Sequence, residues 1–208
     1  MMLLYRPTDI ISKAGDSMKD QQPVRAKILA TAARLLQSQG YSATTMSQLL
    51  QESGAPKGSL YYYFPQGKEQ LAIEAIGLIR QKIEERIRRY LAKIDDPVEA
   101  IQALVNATAV ELEQPENIIF CTVSLLTLEV SLVSEPLRKA CRATNAAWEQ
   151  AFVEKLEQGG YAPDRAGELG ALIQVIIDGA IISSMGRKDT LPLRRAAAAI
   201  PTLLKGDI

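Results

Sequence analysis

Residues 45–64, with the sequence Thr-Met-Ser-Gln-Leu-Leu-Gln-Glu-Ser-Gly-Ala-Pro-Lys-Gly-Ser-Leu-Tyr-Tyr-Tyr-Phe, predict the fold of this chain. Thr44 offers an N-cap hydroxyl to a short helix that Ser53 and Gly54 end. Pro56 suits the first turn of a second short helix, because its missing N–H needs no partner there. Two short helices joined by a turn that contains glycine form a helix-turn-helix, whose second helix enters the DNA major groove.

The second of these helices carries groups suited to a DNA backbone. Gly58 places no side chain at its front, so the backbone can approach DNA closely and its unpaired N–H groups suit a phosphate. Lys57 and Ser59 add a cation and a hydroxyl on either side. Tyr61 and Tyr62 can donate to phosphate oxygens and lie against sugars or thymine methyl groups.

The opposite face of this helix is expected to belong to the core. Leu60 and Phe64 are four residues apart and therefore share one side of a helix. Not all three tyrosines can face DNA, and Tyr63 is the one expected to join them.

Helical periodicity dominates the remaining sequence, and no run of alternating apolar and polar residues bounded by hairpin turns is evident. From Val24 the apolar residues follow one helical face up to a stop at Gly40. We expect an all-α fold of about nine helices, at residues 24–39, 45–52, 56–63, 68–92, 97–113, 117–132, 136–158, 163–186 and 192–204.

Composition excludes several classes of protein. The chain has no histidine, which removes the commonest general base and metal ligand, so we expect neither an enzyme nor a metal or cofactor site. Cys121 and Cys141 are too few for a disulfide framework and fit a reducing cytoplasm. The longest apolar run, residues 172–182, falls short of the roughly 20 residues that span a bilayer, so no membrane span is expected.

Charge is distributed unevenly along the chain. Basic and acidic residues both number 24, yet residues 19–68 contain six basic and two acidic side chains, a net charge of +4. Residues 69–208 contain 16 basic and 20 acidic side chains, a net charge of −4. This asymmetry favours attraction to a polyanion at one end of the molecule.

The stretches Gly40-Tyr-Ser-Ala-Thr-Thr-Met and Ser53-Gly-Ala-Pro-Lys-Gly-Ser-Leu-Tyr-Tyr-Tyr-Phe-Pro-Gln-Gly-Lys-Glu-Gln-Leu71 closely resemble the amino-terminal domain of the TetR family. The segment Gly-Ala-Pro-Lys-Gly-Ser-Leu is similar to the LmrA/YxaF-like branch. The resemblance implies a three-helix DNA-binding domain and a larger helical domain that dimerises and binds a small effector. Carried over by position, it implies that DNA is contacted by Thr45, Lys57, Gly58, Ser59, Tyr61, Tyr62 and Lys68.

Three residues depart from the family pattern. Pro56 stands where many relatives have a capping serine, so one phosphate-contacting hydroxyl is missing. Leu50 stands where a small alanine is usual, and Tyr63 replaces a frequent histidine.

The chain is expected to divide into a mobile extension over residues 1–21, a helix-turn-helix domain over 22–67 and an effector-binding and dimerisation domain over 68–208. Met18 is an alternative start of the chain.

The resemblance places the effector cavity among the middle helices. The expected wall residues are Phe120, Cys121, Glu129, Trp148 and Phe152. Glu129 lies in an apolar stretch, where a carboxylate needs a partner, and an arginine or a helix end is a more common partner than a ligand. The cysteines are more often buried apolar groups than a redox sensor.

Residues 163–186 have an apolar stripe wide enough to face more than one neighbour, which suggests association. The expected dimer interface on this helix is Leu169, Ile173, Ile176, Ile177, Ala180 and Ile181. A homodimer would present two DNA-reading heads to a near-palindromic operator. The favoured function is a repressor released by a largely apolar effector, with an activator or a helical ligand carrier as alternatives.

Overall fold

The computed structural model describes the backbone of residues 10–114 and 122–205, and the side chains of residues 24–114 and 123–205. Over these residues the chain is all-α, as the sequence predicts, with no strand. The nine helices are α1 (Ile10–Ala43), α2 (Met46–Ser53), α3 (Lys57–Tyr63), α4 (Lys68–Leu91), α5 (Pro97–Leu112), α6 (Thr122–Val130), α7 (Glu135–Gln158), α8 (Pro163–Arg187) and α9 (Leu191–Lys205).

The helical backbone of α1 starts at Ile10, earlier than the sequence predicts. It therefore includes part of residues 1–21, which were expected to form a mobile extension. The expected stop at Gly40 is confirmed by a break there, with φ 82° and ψ −178°. The helix expected over residues 117–132 is described only as α6, and it ends at Val130, two residues earlier than predicted.

The helices α1 to α3 form a small head that packs against the start of α4. Its centre is filled by side chains with almost no exposed surface, among them Ile28, Leu36, Leu49, Leu60 and Phe64. α4 adds Leu71 and Ala75 to the same core, and α1 runs against α4. The head is therefore packed on the rest of the molecule through α4, and α1 also packs on α6.

The helices α4 to α9 form the larger domain, in which α7 packs on both α4 and α8 while α9 packs on α5 and α8. α7 and α8 approach closely at Gly170, where an added Cβ would lie 2.6 Å from Cγ2 of Val153. α8 is, by length and composition alone, the one helix in the described ranges apolar enough to cross a membrane. Its apolar composition is used here for packing on two neighbouring helices.

Four of the six α8 residues expected at the dimer interface have little surface left for a second copy of the chain. Leu169, Ile173, Ala180 and Ile181 are buried within the single chain, and Ile176 and Ile177 are partly buried. α8 is apolar on more than one side, and the densest stripe is the one that packs on its own domain. The large apolar side chains that α8 exposes are Leu172, Val175 and Ile182.

Candidate nucleic-acid interface

The turn between α2 and α3 is built from local interactions that the sequence encodes. The cap of α2 is Thr45 and not the predicted Thr44: Thr45 accepts a hydrogen bond from the Gln48 N–H at 3.1 Å, whereas the buried Thr44 hydroxyl donates to the Gly40 carbonyl at 2.7 Å. Gly54 ends α2 in the left-handed region at φ 60°, and its N–H donates to the Leu50 carbonyl at 3.1 Å. A residue without Cβ adopts this backbone without strain, which is why glycine suits the turn.

The two sides of α3 divide as the sequence predicts. Leu60 and Phe64 are fully buried, and Tyr63 is partly buried against the same core. Tyr61 and Tyr62 are 54% and 69% exposed, unusually high fractions for large aromatic side chains. An aromatic pair in solvent whose hydroxyls can donate is suited to a polar partner such as a sugar-phosphate backbone.

The front of α3 is open to an approaching ligand. Lys57 and Gly58 are exposed and Ser59 is partly exposed. A Cβ added at Gly58 would meet no atom within 4 Å, so the glycine is not required by packing inside the chain. The structure thus brings five of the seven sequence-predicted DNA contacts, all those on α3, onto one exposed surface, and Thr45 is exposed at the start of α2.

Part of the positive charge of the head is neutralised within the chain, which the charge count alone missed. Arg34 pairs with Glu52 on α2, and this contact lowers the pKa of the Glu52 carboxyl. Arg25 pairs with Glu74 on α4 and lies 5.3 Å from the centre of the Phe64 ring. Neither pair is predictable from spacing, since its members lie on different helices.

Lys68 lies in an intramolecular cluster at the start of α4. Its ammonium sits 4.3 Å from the centre of the Tyr41 ring and donates to the Ser42 carbonyl at 3.4 Å. Burial lowers the pKa of Lys68, and the nearby Glu129 carboxylate opposes that effect. A contact between Lys68 and DNA stays a prediction, and the cation already has partners 26 and 27 residues away.

Glu129, one of the expected wall residues of the effector pocket, places its carboxylate against the backbone after Gly40 and does not line the cavity that contains Trp148 and Phe152. Its carboxylate accepts hydrogen bonds from the N–H of Tyr41 at 2.7 Å and from the N–H of Ser42 at 2.5 Å. Burial raises the pKa of Glu129, but these hydrogen bonds outweigh it and the net pKa is lowered. The alternative of a partner at a helix end is confirmed, since both N–H groups follow the break at Gly40.

A small cavity of about 50 Å³ lies among α4, α5, α7 and α8. Trp148 and Phe152, two of the expected wall residues of the effector pocket, line it, and an effector there stays a prediction. Phe120 and Cys121, also expected there, lie outside the described residues. The cavity also has polar wall residues that the sequence did not predict, namely Arg86, Thr108, Gln174 and Asp178.

Asp178 is the carboxyl group in the wall of this cavity. Burial raises the pKa of its carboxyl, although hydrogen bonds from Gln174 at 3.0 Å and from the Ser124 hydroxyl at 2.9 Å act against that shift. Arg86, on the opposite wall, is paired with Glu111 at 2.5 Å. Asp178 interrupts the longest apolar run of the sequence, and that interruption was the available signal.

Two other features bear on a ligand role. A larger cavity of about 650 Å³ opens between the ends of α5, α8 and α9, and it is lined by neither Trp148 nor Phe152. Cys141 is buried, and burial raises the pKa of its thiol, which disfavours the reactive thiolate. The described residues contain no cluster of potential metal ligands.

Comparison with known proteins agrees with this architecture. Residues 28–75 match the family described as bacterial regulatory proteins, tetR family, and residues 97–199 match the transcriptional regulator LmrA/YxaF-like, C-terminal domain. The chain is 46% identical to the uncharacterized HTH-type transcriptional regulator YxaF of Bacillus subtilis, over 87% of this chain and 95% of that protein. The chain belongs to the TetR family.

Two further relatives extend the match. The HTH-type transcriptional regulator LmrA of Bacillus subtilis is 44% identical over 87% of this chain and 96% of its own length. A TetR transcriptional regulator from Chloroflexus aurantiacus has a similar solved structure, with a TM-score of 0.77, 26% identity and coverage of 88% of this chain and 95% of that one. This TetR-family chain is therefore a helix-turn-helix transcriptional regulator of the LmrA/YxaF-like type, and not an enzyme.

Proposed function

We propose that this TetR-family regulator is a cytoplasmic repressor that binds a near-palindromic operator as a homodimer and is released by a small, largely apolar effector. The observation that carries the proposal is the exposed front of α3. There two tyrosines and an open glycine backbone lie beside Lys57, while the opposite face of the helix is buried. Thr45, Ser59 and Lys68 complete the proposed DNA-contacting set.

The proposed effector site is the cavity lined by Trp148, Phe152 and Asp178. Its volume of about 50 Å³ is far below the roughly 300–1,000 Å³ of an ordinary ligand pocket, so an effector has to enlarge it. A ligand shifts a conformational equilibrium only through its differential affinity for the two states. The closed cavity then belongs to the DNA-binding state, and effector binding favours the state in which the surrounding helices separate.

Lys57 supplies the first experiment. Fluorescence anisotropy would measure binding to the DNA flanking the protein's own gene at several salt concentrations, with scrambled DNA as the reference. Each lost phosphate contact lowers the slope of log K against log salt by about 0.9. Because each copy in the dimer loses one contact, we expect Lys57→Gln to weaken binding to both DNAs and to reduce the slope by about 1.8.

The matched control is Lys82→Gln, which removes an exposed lysine from the middle of α4 and should leave both affinity and slope unchanged. Equal wild-type affinity for flanking and scrambled DNA would contradict site-selective binding at that locus. Trp148 is the only tryptophan of the chain and lines the cavity, so its fluorescence reports effector binding in the same samples.

A further inference from the structure

We propose that Glu129 is a positioning residue that holds the DNA-binding head in one orientation on the effector domain, and that α6 connects it to the cavity through Ser124. The inference rests on the proposed function for its effect on DNA. The contacts themselves belong to the free protein, so they can be tested without DNA. We call Gly40, Tyr41, Ser42, Lys68 and Glu129 together the Glu129 cluster.

The cluster begins with a backbone turn that fits one carboxylate. Two consecutive N–H groups, of Tyr41 and Ser42, converge on the two oxygens of Glu129. Successive N–H groups in such a turn form an anion-binding concavity, and a charged acceptor strengthens each hydrogen bond. The turn belongs to the head and the carboxylate to the effector domain, so the two hydrogen bonds cross between the domains.

Gly40 makes this approach sterically possible. Its φ of 82° lies in the left-handed region, and an added Cβ would lie 2.7 Å from Oε2 of Glu129. Any side chain at position 40 would therefore be strained and would displace the carboxylate. The glycine serves both the turn and the close approach of Glu129.

Lys68 completes the cluster from the side of α4. Its ammonium contacts the Tyr41 ring and the Ser42 carbonyl, and it interacts favourably with the Glu129 carboxylate. The next residue, Glu69, accepts a hydrogen bond from the Ser134 hydroxyl at the start of α7. The head, the start of α4 and the segment after α6 are thus joined at one place.

α6 connects this place to the cavity. Ser124, near its amino-terminal end, donates to Asp178 at 2.9 Å, and Glu129 lies five residues later on the same helix. Five residues of α-helix correspond to a rise of about 7.5 Å. Leu126 and Val130 are buried in the core, so α6 is held as a packed helix. A displacement of α6 at Ser124 therefore also displaces the carboxylate that holds the head.

Amide hydrogen exchange of the free, full-length protein tests the cluster directly. We expect Glu129→Gln to speed exchange about tenfold or more at whichever of Tyr41 and Ser42 faces the glutamine NH2, because that group cannot accept a hydrogen bond. Exchange at the other amide should speed up less, because its acceptor oxygen remains but has lost its charge. Glu157→Gln removes an exposed charge from the same domain and should leave both rates unchanged. Unchanged rates in Glu129→Gln, or equal acceleration throughout the head, would overturn the proposal.

Ser124→Ala tests the connection through α6 with Glu129 left intact. We expect it to speed exchange at Tyr41 and Ser42 as well, although by less than Glu129→Gln. If Glu129→Gln fails to fold, this variant still decides the question. Wild-type rates at both amides in Ser124→Ala would show that α6 does not connect the cavity to the head.

Operator binding then separates positioning from direct contact with DNA. We expect Glu129→Gln to weaken site-selective binding at least fivefold, within the ordinary range of coupling between sites. The salt slope should stay at the wild-type value, because no phosphate contact is lost. A reduced slope, or unchanged affinity, would contradict the positioning role.

Failure of the wild-type protein to select its flanking DNA would instead contradict the proposed function. The exchange measurements would still decide the role of Glu129 in that case.

Discussion

Glycine has different roles at two positions only four residues apart in the helix-turn-helix. Gly54 is needed by the backbone, since it adopts φ 60° at the end of α2. Gly58 has no positive φ, and a Cβ added there would have no atom within 4 Å, so nothing inside the chain requires it. A residue that the fold does not require, on the exposed front of α3, points to an external partner.

Alanine substitutions separate these two roles. We expect Gly54→Ala to lower the free energy of unfolding by about 1 kcal/mol, because alanine is strained in the left-handed region. Gly58→Ala should leave stability unchanged or raise it by up to about 1 kcal/mol, since alanine favours the helix. It should nevertheless weaken DNA binding by keeping the backbone away from phosphate. Urea unfolding and anisotropy titration measure the two effects, and the opposite assignment would contradict this account.

The carboxyl of Asp178 should make stability depend on pH. Because burial raises its pKa in the folded protein above the ordinary value of 3.8, the folded state keeps the proton to higher pH than the unfolded state. The contribution of Asp178 to the free energy of unfolding should therefore fall as pH rises from the unfolded pKa through the folded pKa. We expect Asp178→Asn to lack this contribution, as measured by urea unfolding across that range.

Asp95→Asn, at an exposed position of the same domain, serves as the control for the loss of an aspartate. Its pH profile should run parallel to that of the wild-type protein. A wild-type profile that instead gained stability relative to Asp178→Asn with rising pH would show that the Ser124 and Gln174 hydrogen bonds outweigh burial.

At the scale of the element, α8 shows why an apolar stripe does not identify its own neighbour. One side packs tightly on α7 around Gly170, and another contributes Ala180 and Ile181 to a cluster with α5 and α9. A third side exposes Leu172 and Val175. Periodicity predicted the helix correctly, but three apolar sides left the choice among neighbours to tertiary packing.

The contact between α7 and α8 should tolerate no added atom at position 170. In Gly170→Ala the new Cβ would lie 2.6 Å from Val153 Cγ2 and 3.3 Å from the Val153 backbone nitrogen. We expect a loss of about 1–3 kcal/mol in the free energy of unfolding, as is typical of overpacking. Gly167→Ala, on the same helix with no atom within 4 Å of the new Cβ, should be neutral or stabilising. Equal effects of the two substitutions would refute the packing argument.

At the scale of the whole molecule, one chain carries one head, whereas a near-palindromic operator has two half-sites. The exposed side chains of α8, Leu172, Val175 and Ile182, form an apolar face that a second copy of the chain would cover. Association through such a face is isologous, so both copies contribute the same residues. We therefore move the proposed dimer interface from the buried stripe of α8 to this exposed face.

A charge in that face should separate the two copies. Val175 is 66% exposed, so Val175→Glu should leave the fold of a single chain intact but place two carboxylates in the interface. We expect a monomer by light scattering and loss of tight operator binding. Leu132→Glu makes the same kind of change at a 97% exposed position after α6 and should stay dimeric. A dimeric Val175→Glu protein would exclude this face as the interface.

The sequence by itself determined the features that depend on neighbours along the chain. The turn at Gly54 and the two sides of α3 follow from spacing, because their partners lie within four residues. The start of α2 follows in the same way, although the capping residue is Thr45 and not the expected Thr44. The all-α class and most helix bounds follow for the same reason, as periodicity is a local property.

Only the tertiary structure decided which distant groups meet. Glu129 accepts its hydrogen bond from Tyr41, 88 residues away, and Ser124 reaches Asp178 over 54 residues. A carboxylate in an apolar stretch indicates that a partner is needed, but its identity depends on how whole helices pack. For the same reason, the sequence did not predict the polar side of the cavity or the exposed face of α8. Both result from the arrangement of several helices at once.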